Sequence, residues 1–173
     1  MKKYTVSLSK EKDTGCFSAS NSDNYNITLN GLCDKDRGRG ISPMEMMLTA
    51  AGGCAGVDVL SMLKEESSDL ISFDIEVEGY RDVMETPAYF REVNFKFKIE
   101  SEICKEKITR CIELSLEKYC TVGKTLEAYA ELNWVLVLNG VLEGSTCASK
   151  RQKSKRQVPK EVLEIIPIRD QSE

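Results

Sequence analysis

The stretch from Met46 to Val57 constrains this chain more than any other. It holds no charged residue, contains three glycines, and sits inside a segment that reads as a helix. Ser42-Pro43 starts that helix: Ser42 is a capping residue, Pro43 suits the first turn, and Glu45 suits the positive end of the helix dipole. The helix is expected to run to about Lys64 or Glu66. A helix that is apolar on nearly all sides is a buried one, not an amphipathic surface one. Gly52, Gly53 and Gly56 each cost about 1 kcal/mol in a helix interior. Something must offset that cost, most simply the close approach of another backbone. The apolar run is also too short to cross a bilayer.

Around this helix the chain alternates between strands and shorter helices. Tyr4 to Leu8, Phe17 to Ser20 and Asn26 to Leu29 read as a small antiparallel meander, with Asn30-Gly31 as a turn signal. Asp34 to Gly40 is a charged, glycine-rich loop. Ser72 to Tyr80 alternates strictly, Phe90 to Glu100 alternates from Val93, and the two form a hairpin with a loose connection holding Pro87. Cys104 to Leu116 carries its apolar residues at helical spacing. Thr121 to Ala130 is a further short helix, and Leu132 to Leu138 is a strand ended by Asn139-Gly140. Antiparallel sheets with segregated helices make an α+β pattern.

Charge and cysteine usage narrow the function. The 173 residues suit one domain, and the formal net charge of -4 is too mild to imply a nucleic-acid surface. From Gly144 onward seven basic residues stand against four acidic ones, so the tail is basic and the body acidic. The run Lys150 to Arg156 reads as a solvated charge run. There is no histidine, which excludes Ser-His and Cys-His dyads and histidine metal sites. The seven cysteines are an odd number and include no CxxC pair. Met1 to Lys10 lacks the apolar core of a signal peptide. A cytoplasmic location is therefore expected, with thiols mostly free and any disulfide transient.

Three segments together resemble the OsmC/Ohr family, and its YhfA-like branch in particular. They are Ser42-Pro-Met-Glu-Met-Met-Leu-Thr-Ala-Ala-Gly-Gly-Cys54-Ala-Gly-Val-Asp-Val-Leu-Ser-Met-Leu63, Pro87-Ala-Tyr-Phe-Arg-Glu-Val-Asn-Phe-Lys-Phe97, and Leu114-Ser-Leu-Glu-Lys-Tyr-Cys120-Thr-Val122. The resemblance covers roughly Tyr4 to Val141. It implies an OsmC-like domain over residues 1–143 and a basic C-terminal extension over 144–173. It also implies an intertwined homodimer in which two antiparallel sheets wrap two central helices, with the cysteine sites at the subunit interface. Crossing helices would then explain the glycines.

What the resemblance implies about chemistry centres on Cys54 and Cys120. A buried free cysteine is by itself commonly inert. In this family the Cys54 position carries a thiolate that attacks a hydroperoxide O–O bond and becomes a sulfenic acid. Cys120 would resolve it to a disulfide, and its place before a short helix favours its thiolate. Glu45 is the third catalytic candidate. Family peroxidases pair a glutamate in this turn with an arginine beside the thiol, but the usual glutamate position is Met44 here. The usual arginine stretch, Thr14 to Ser20, contains none; Arg37 and Arg39 are the candidates to replace it. Asp58, one turn past Cys54, would raise a thiol pKa and oppose reactivity. Its plain reading is a hydrogen-bonded carboxylate at the dimer interface. Cys104 and Cys111 read as core, and Cys147 as exposed.

The function expected is a two-cysteine peroxidase that reduces small organic hydroperoxides. A dithiol or a lipoyl-bearing protein would be the reductant, and no metal or organic cofactor would be needed. The alternative is an OsmC-like redox sensor or apolar-ligand binder without significant turnover. A membrane or nucleic-acid partner is not expected.

Overall fold

The computed structural model describes residues 1–12, 14–30 and 39–147. The expected turn at Gly31, most of the glycine-rich loop, Cys33, Arg37 and the tail beyond Cys147 lie outside the described residues. The chain begins with three strands, β1 (Val6–Lys10), β2 (Phe17–Asn21) and β3 (Asn26–Leu29), which pair antiparallel in the order β1-β2-β3. The long helix α1 (Pro43–Met62) follows, and a 3-10 stretch over Lys64–Asp69 continues it. Strands β4 (Leu70–Arg81) and β5 (Phe90–Ser101) come next, then α2 (Lys105–Leu114), a π turn over Ser115–Tyr119, α3 (Thr121–Leu126), β6 (Glu131–Leu138) and β7 (Val141–Cys147).

The start of α1 follows the sequence signal closely. The Glu45 amide donates to Ser42 Oγ at 3.2 Å and the Ser42 amide donates to a Glu45 carboxylate oxygen at 2.8 Å. This is a reciprocal capping box that satisfies two otherwise unpaired amides. The helix proper ends at Met62, short of the expected Lys64 or Glu66.

One feature of the second sheet departs from the expected pairing. Strands β4 to β7 form a sheet in that order, and β4·β5 and β6·β7 are antiparallel, but β5·β6 is parallel. The reason is the connection. Two parallel neighbours need a crossover of a dozen or more residues, and α2, the π turn and α3 supply it. Strand β7 was not anticipated. Asn139 (φ 51°) and Gly140 (φ 79°) make a tight turn that returns the chain, and β7 carries the pairing past Gly144 to Cys147.

The core lies between this sheet and the helices. Val93, Phe95, Phe97 and Ile99 of β5 and Leu132, Trp134 and Leu136 of β6 are buried with Val59, Leu63, Ile108, Ile112 and Leu116. Strand β4 covers one flank of α1. A β-carbon on Gly52 would come within 2.9 Å of Val77 Cγ2, and one on Gly56 within 2.9 Å of Ile75 Cδ1. Within the chain these two glycines therefore admit sheet side chains rather than the second backbone the sequence suggested. Gly53 is different: a β-carbon there meets nothing within 4 Å.

Burial of α1 is also one-sided. Ala51, Gly52, Ala55, Gly56 and Val59 are buried, yet Val57 is 64% exposed and Leu60 42%. A single chain covers only part of a helix that is apolar all round.

Candidate functional site

The helix α1 places Cys54 and Asp58 one turn apart, so both project from the same face. The π turn ends at Tyr119 and delivers Cys120 to that face from the other side. The two sulfurs and an Asp58 carboxylate oxygen all lie within 4.8 Å of one another. Cys120 is completely buried and Cys54 and Asp58 are half-buried, so the cluster has an inner thiol and an outer one. Both thiols are free.

Several contacts fix this arrangement. The Gly123 amide donates to Cys120 Sγ at 3.3 Å, which makes Cys120 the N-cap of α3, and Cys120 Sγ lies 3.8 Å from the Ala51 carbonyl oxygen. Ser115 Oγ is buried and lies 3.2 Å from the Ala55 carbonyl oxygen and 3.3 Å from Asp58 Oδ2. The Asp58 carboxylate is thus hydrogen-bonded within the chain.

The electrostatics of Cys120 reverse the sequence expectation. The helix start does favour a thiolate, through the Gly123 amide. Burial outweighs it and pushes the Cys120 thiol up to about 12, with Cys54 and the Asp58 charge adding to the rise. At neutral pH Cys120 is a protonated thiol.

Glu45 is not brought to the sulfurs. It precedes Cys54 by nine residues on the same helix, a rise of about 13 Å, and its carboxylate is engaged with Ser42. That contact holds the Glu45 carboxyl below its ordinary range. Glu45 lines one end of an open groove of about 560 Å³ with Leu48, Gly52, Gly56, Leu60, Ile75 and Val77. At about 100° per residue the groove positions and Cys54 point to different flanks of α1, and neither sulfur lines the groove. Arg39 is exposed in the segment before the helix. Cys111 is buried as expected, whereas Cys104 is exposed: as the N-cap of α2 it lies off the end of the apolar stripe.

Fold and site together define an α+β protein in which Cys54 of the long helix α1 and Cys120 at the start of α3 converge as a thiol pair. The OsmC-like protein family matches residues 35–135, and the chain belongs to that family. It is 38% identical over 87 residues to Protein YhfA of Escherichia coli, a match that covers 50% of this chain and 64% of that protein, just under two thirds of its length. It is 28% identical over 127 residues to a protein of Mycoplasma genitalium named hydroperoxide reductase, covering 72% of this chain and 87% of that one. The OsmC-like protein of Mycoplasma pneumoniae has the same fold, with a TM-score of 0.67 at 22% identity, over 79% of this chain and 97% of that one. A protein of Aquifex aeolicus matches with a TM-score of 0.66 at 25% identity, over 80% of this chain and 99% of that one. Among the described residues no helix is long and apolar enough to cross a membrane.

Proposed function

We propose that this protein reduces organic hydroperoxides with Cys54 and Cys120 as its working thiols. One observation carries the reading: two free sulfurs lie within 4.8 Å of each other, the outer half-buried and the inner sealed. The relative named hydroperoxide reductase supports it. The order of events follows from exposure. Cys54 meets the peroxide first. Its thiolate attacks the O–O bond, the alcohol leaves, and the sulfur becomes a sulfenic acid. Cys120 then attacks that sulfur and water leaves. The disulfide holds the two electrons' worth of oxidation, and a small dithiol or a lipoyl-bearing protein restores the thiols. Glu45 enters this proposal as the cap of the catalytic helix and a wall of the groove; it would reach a thiol only from a second copy.

A homodimer is part of the proposal. Val57 and Leu60 expose apolar surface on α1, Gly53 has room beside it for another helix, and β1-β2-β3 shares no strand pairing with the main sheet among the described residues. A second copy crossing α1 would answer all three.

A second reading, a slow redox sensor, is favoured by the same site. Burial holds the Cys120 thiol protonated, and the charged group beside the pair is a carboxylate that adds to the rise rather than an activating cation. The deciding experiment is a stopped-flow single turnover of the reduced protein with cumene hydroperoxide, with Cys120→Ser to trap the sulfenic acid on Cys54. Rapid oxidation that ends in a stable Cys54 sulfenic acid in the variant supports the reductase. Oxidation no faster than that of a free thiol leaves the sensor.

A further inference from the structure

The cluster of Cys54, Asp58 and Cys120 has a composition that thiol chemistry alone does not require. Attack and resolution use two sulfurs. The third member, Asp58, is positioned as carefully as they are: it shares the Cys54 face of α1 and is held by Ser115 from the π turn. A half-buried carboxylate within 4.8 Å of two free thiols offers a third donor atom to a single ion.

We propose that the reduced cluster is a Zn2+ site, with two thiolates and the Asp58 carboxylate as ligands and an open fourth position. It rests on the same sulfur pair as the proposed peroxide chemistry, which it would regulate. The metal follows from the donors. Two sulfurs and one oxygen at a four-coordinate site select zinc over the hard cations, which take oxygen cages. The geometry is near what zinc needs. Zn–S bonds of about 2.3 Å place two ligand sulfurs roughly 3.8 Å apart in a tetrahedron, against a spread of at most 4.8 Å in the reduced cluster. The outer contacts are those of a metal site: the Gly123 amide donates to one ligand sulfur and Ser115 to the carboxylate. Half-buried Cys54 and Asp58 mark the side from which the ion enters and where water completes its shell.

Zinc and the disulfide exclude each other. Binding displaces the thiol protons to solvent and occupies both sulfurs. Oxidation of the two thiolates by a hydroperoxide joins the sulfurs to each other, reduces the peroxide to alcohol and water with two protons taken from solvent, and releases the ion. Zinc would thus protect the reduced pair and leave when the pair is oxidised.

The test uses the full-length reduced protein, freed of metal, titrated with Co2+ and then Zn2+. The expected result is a sulfur-to-cobalt charge-transfer band that saturates at one ion per chain and is bleached by Zn2+. It should be absent from the disulfide form and unchanged in Cys104→Ser. Asp58→Asn should weaken Zn2+ binding at least about tenfold, and Asp58→Glu should restore part of it. That loss would be diagnostic, because Asn keeps the size of the side chain and removes only the anionic donor. No sulfur-to-cobalt band, a band that survives in the disulfide form, or full affinity in Asp58→Asn would overturn the site. Peroxide-driven disulfide formation is read separately, by mass, on metal-free protein. A pair that binds zinc but resists peroxide upholds this site and sinks the reductase; the reverse sinks this site alone.

Discussion

The Asp58 carboxylate and the Cys120 sulfur, far apart in the chain, lie within 4.8 Å of each other in the core. Proximity makes the charge of one a control on the proton of the other. In metal-free protein, Asp58→Asn is expected to lower the Cys120 pKa from its raised value, because it removes one of the groups that hold the thiol protonated. The pH dependence of Cys120 alkylation, read by mass, reports this. A titration unmoved or shifted to higher pH would contradict the assignment.

The buried thiol also makes a statement about stability. Its folded pKa is raised from 9.0 to about 12, so the unfolded chain ionises first as pH rises. The stability contributed by the neutral thiol is complete below pH 9 and is lost between 9 and about 12. Urea midpoints of the wild type should fall faster over that window than those of Cys120→Ala. Parallel curves would mean that Cys120 titrates normally in the folded protein.

Gly123 marks how tightly this corner is built. A β-carbon there would lie 3.2 Å from Cys120 Sγ and 3.7 Å from Leu132 Cδ1. Gly123→Ala should cost about 1–3 kcal/mol through overpacking and slow disulfide formation by displacing the sulfur. Denaturant midpoints and the rate of disulfide closure check the two effects separately.

Gly53 tests the proposed dimer. Its neighbourhood within the chain is open, so Gly53→Arg should leave the fold intact and even favour the helix by up to about 1 kcal/mol. If a second α1 crosses there, the bulky side chain should drive the protein to monomer in sedimentation, with its circular dichroism unchanged. A variant that sediments like the wild type would place the crossing elsewhere.

Much of the architecture was legible because its signals are local. Ser42-Pro43 and Glu45 declare the start of α1, and the structure completes the capping box. Alternation from Val93 to Glu100 marks a strand whose Val93, Phe95, Phe97 and Ile99 are indeed inward. The shared face of Cys54 and Asp58 follows from their spacing alone.

What escaped the sequence depends on contacts between distant segments. The parallel pairing of β5 with β6 depends on the crossover through the intervening helices, which alternation within either strand does not reveal. The proton on Cys120 is the clearest case. Its position before α3 reads as thiolate-stabilising, and the Gly123 amide does act that way. The burial that outweighs it comes from packing against distant chain, with the Ala51 carbonyl of α1 3.8 Å from the sulfur. Cys104 shows the smaller version of the same limit: helical spacing cannot tell an interior turn from a cap.

The most direct measurement of the account is peptide mapping by mass spectrometry of the fully reduced protein after one equivalent of cumene hydroperoxide, with Cys54→Ser as control. The expected result is a Cys54–Cys120 disulfide that forms within the first turnover, is absent in the control, and forms faster with the organic peroxide than with hydrogen peroxide. Unchanged thiols, or slow oxidation scattered over all seven cysteines, would contradict it.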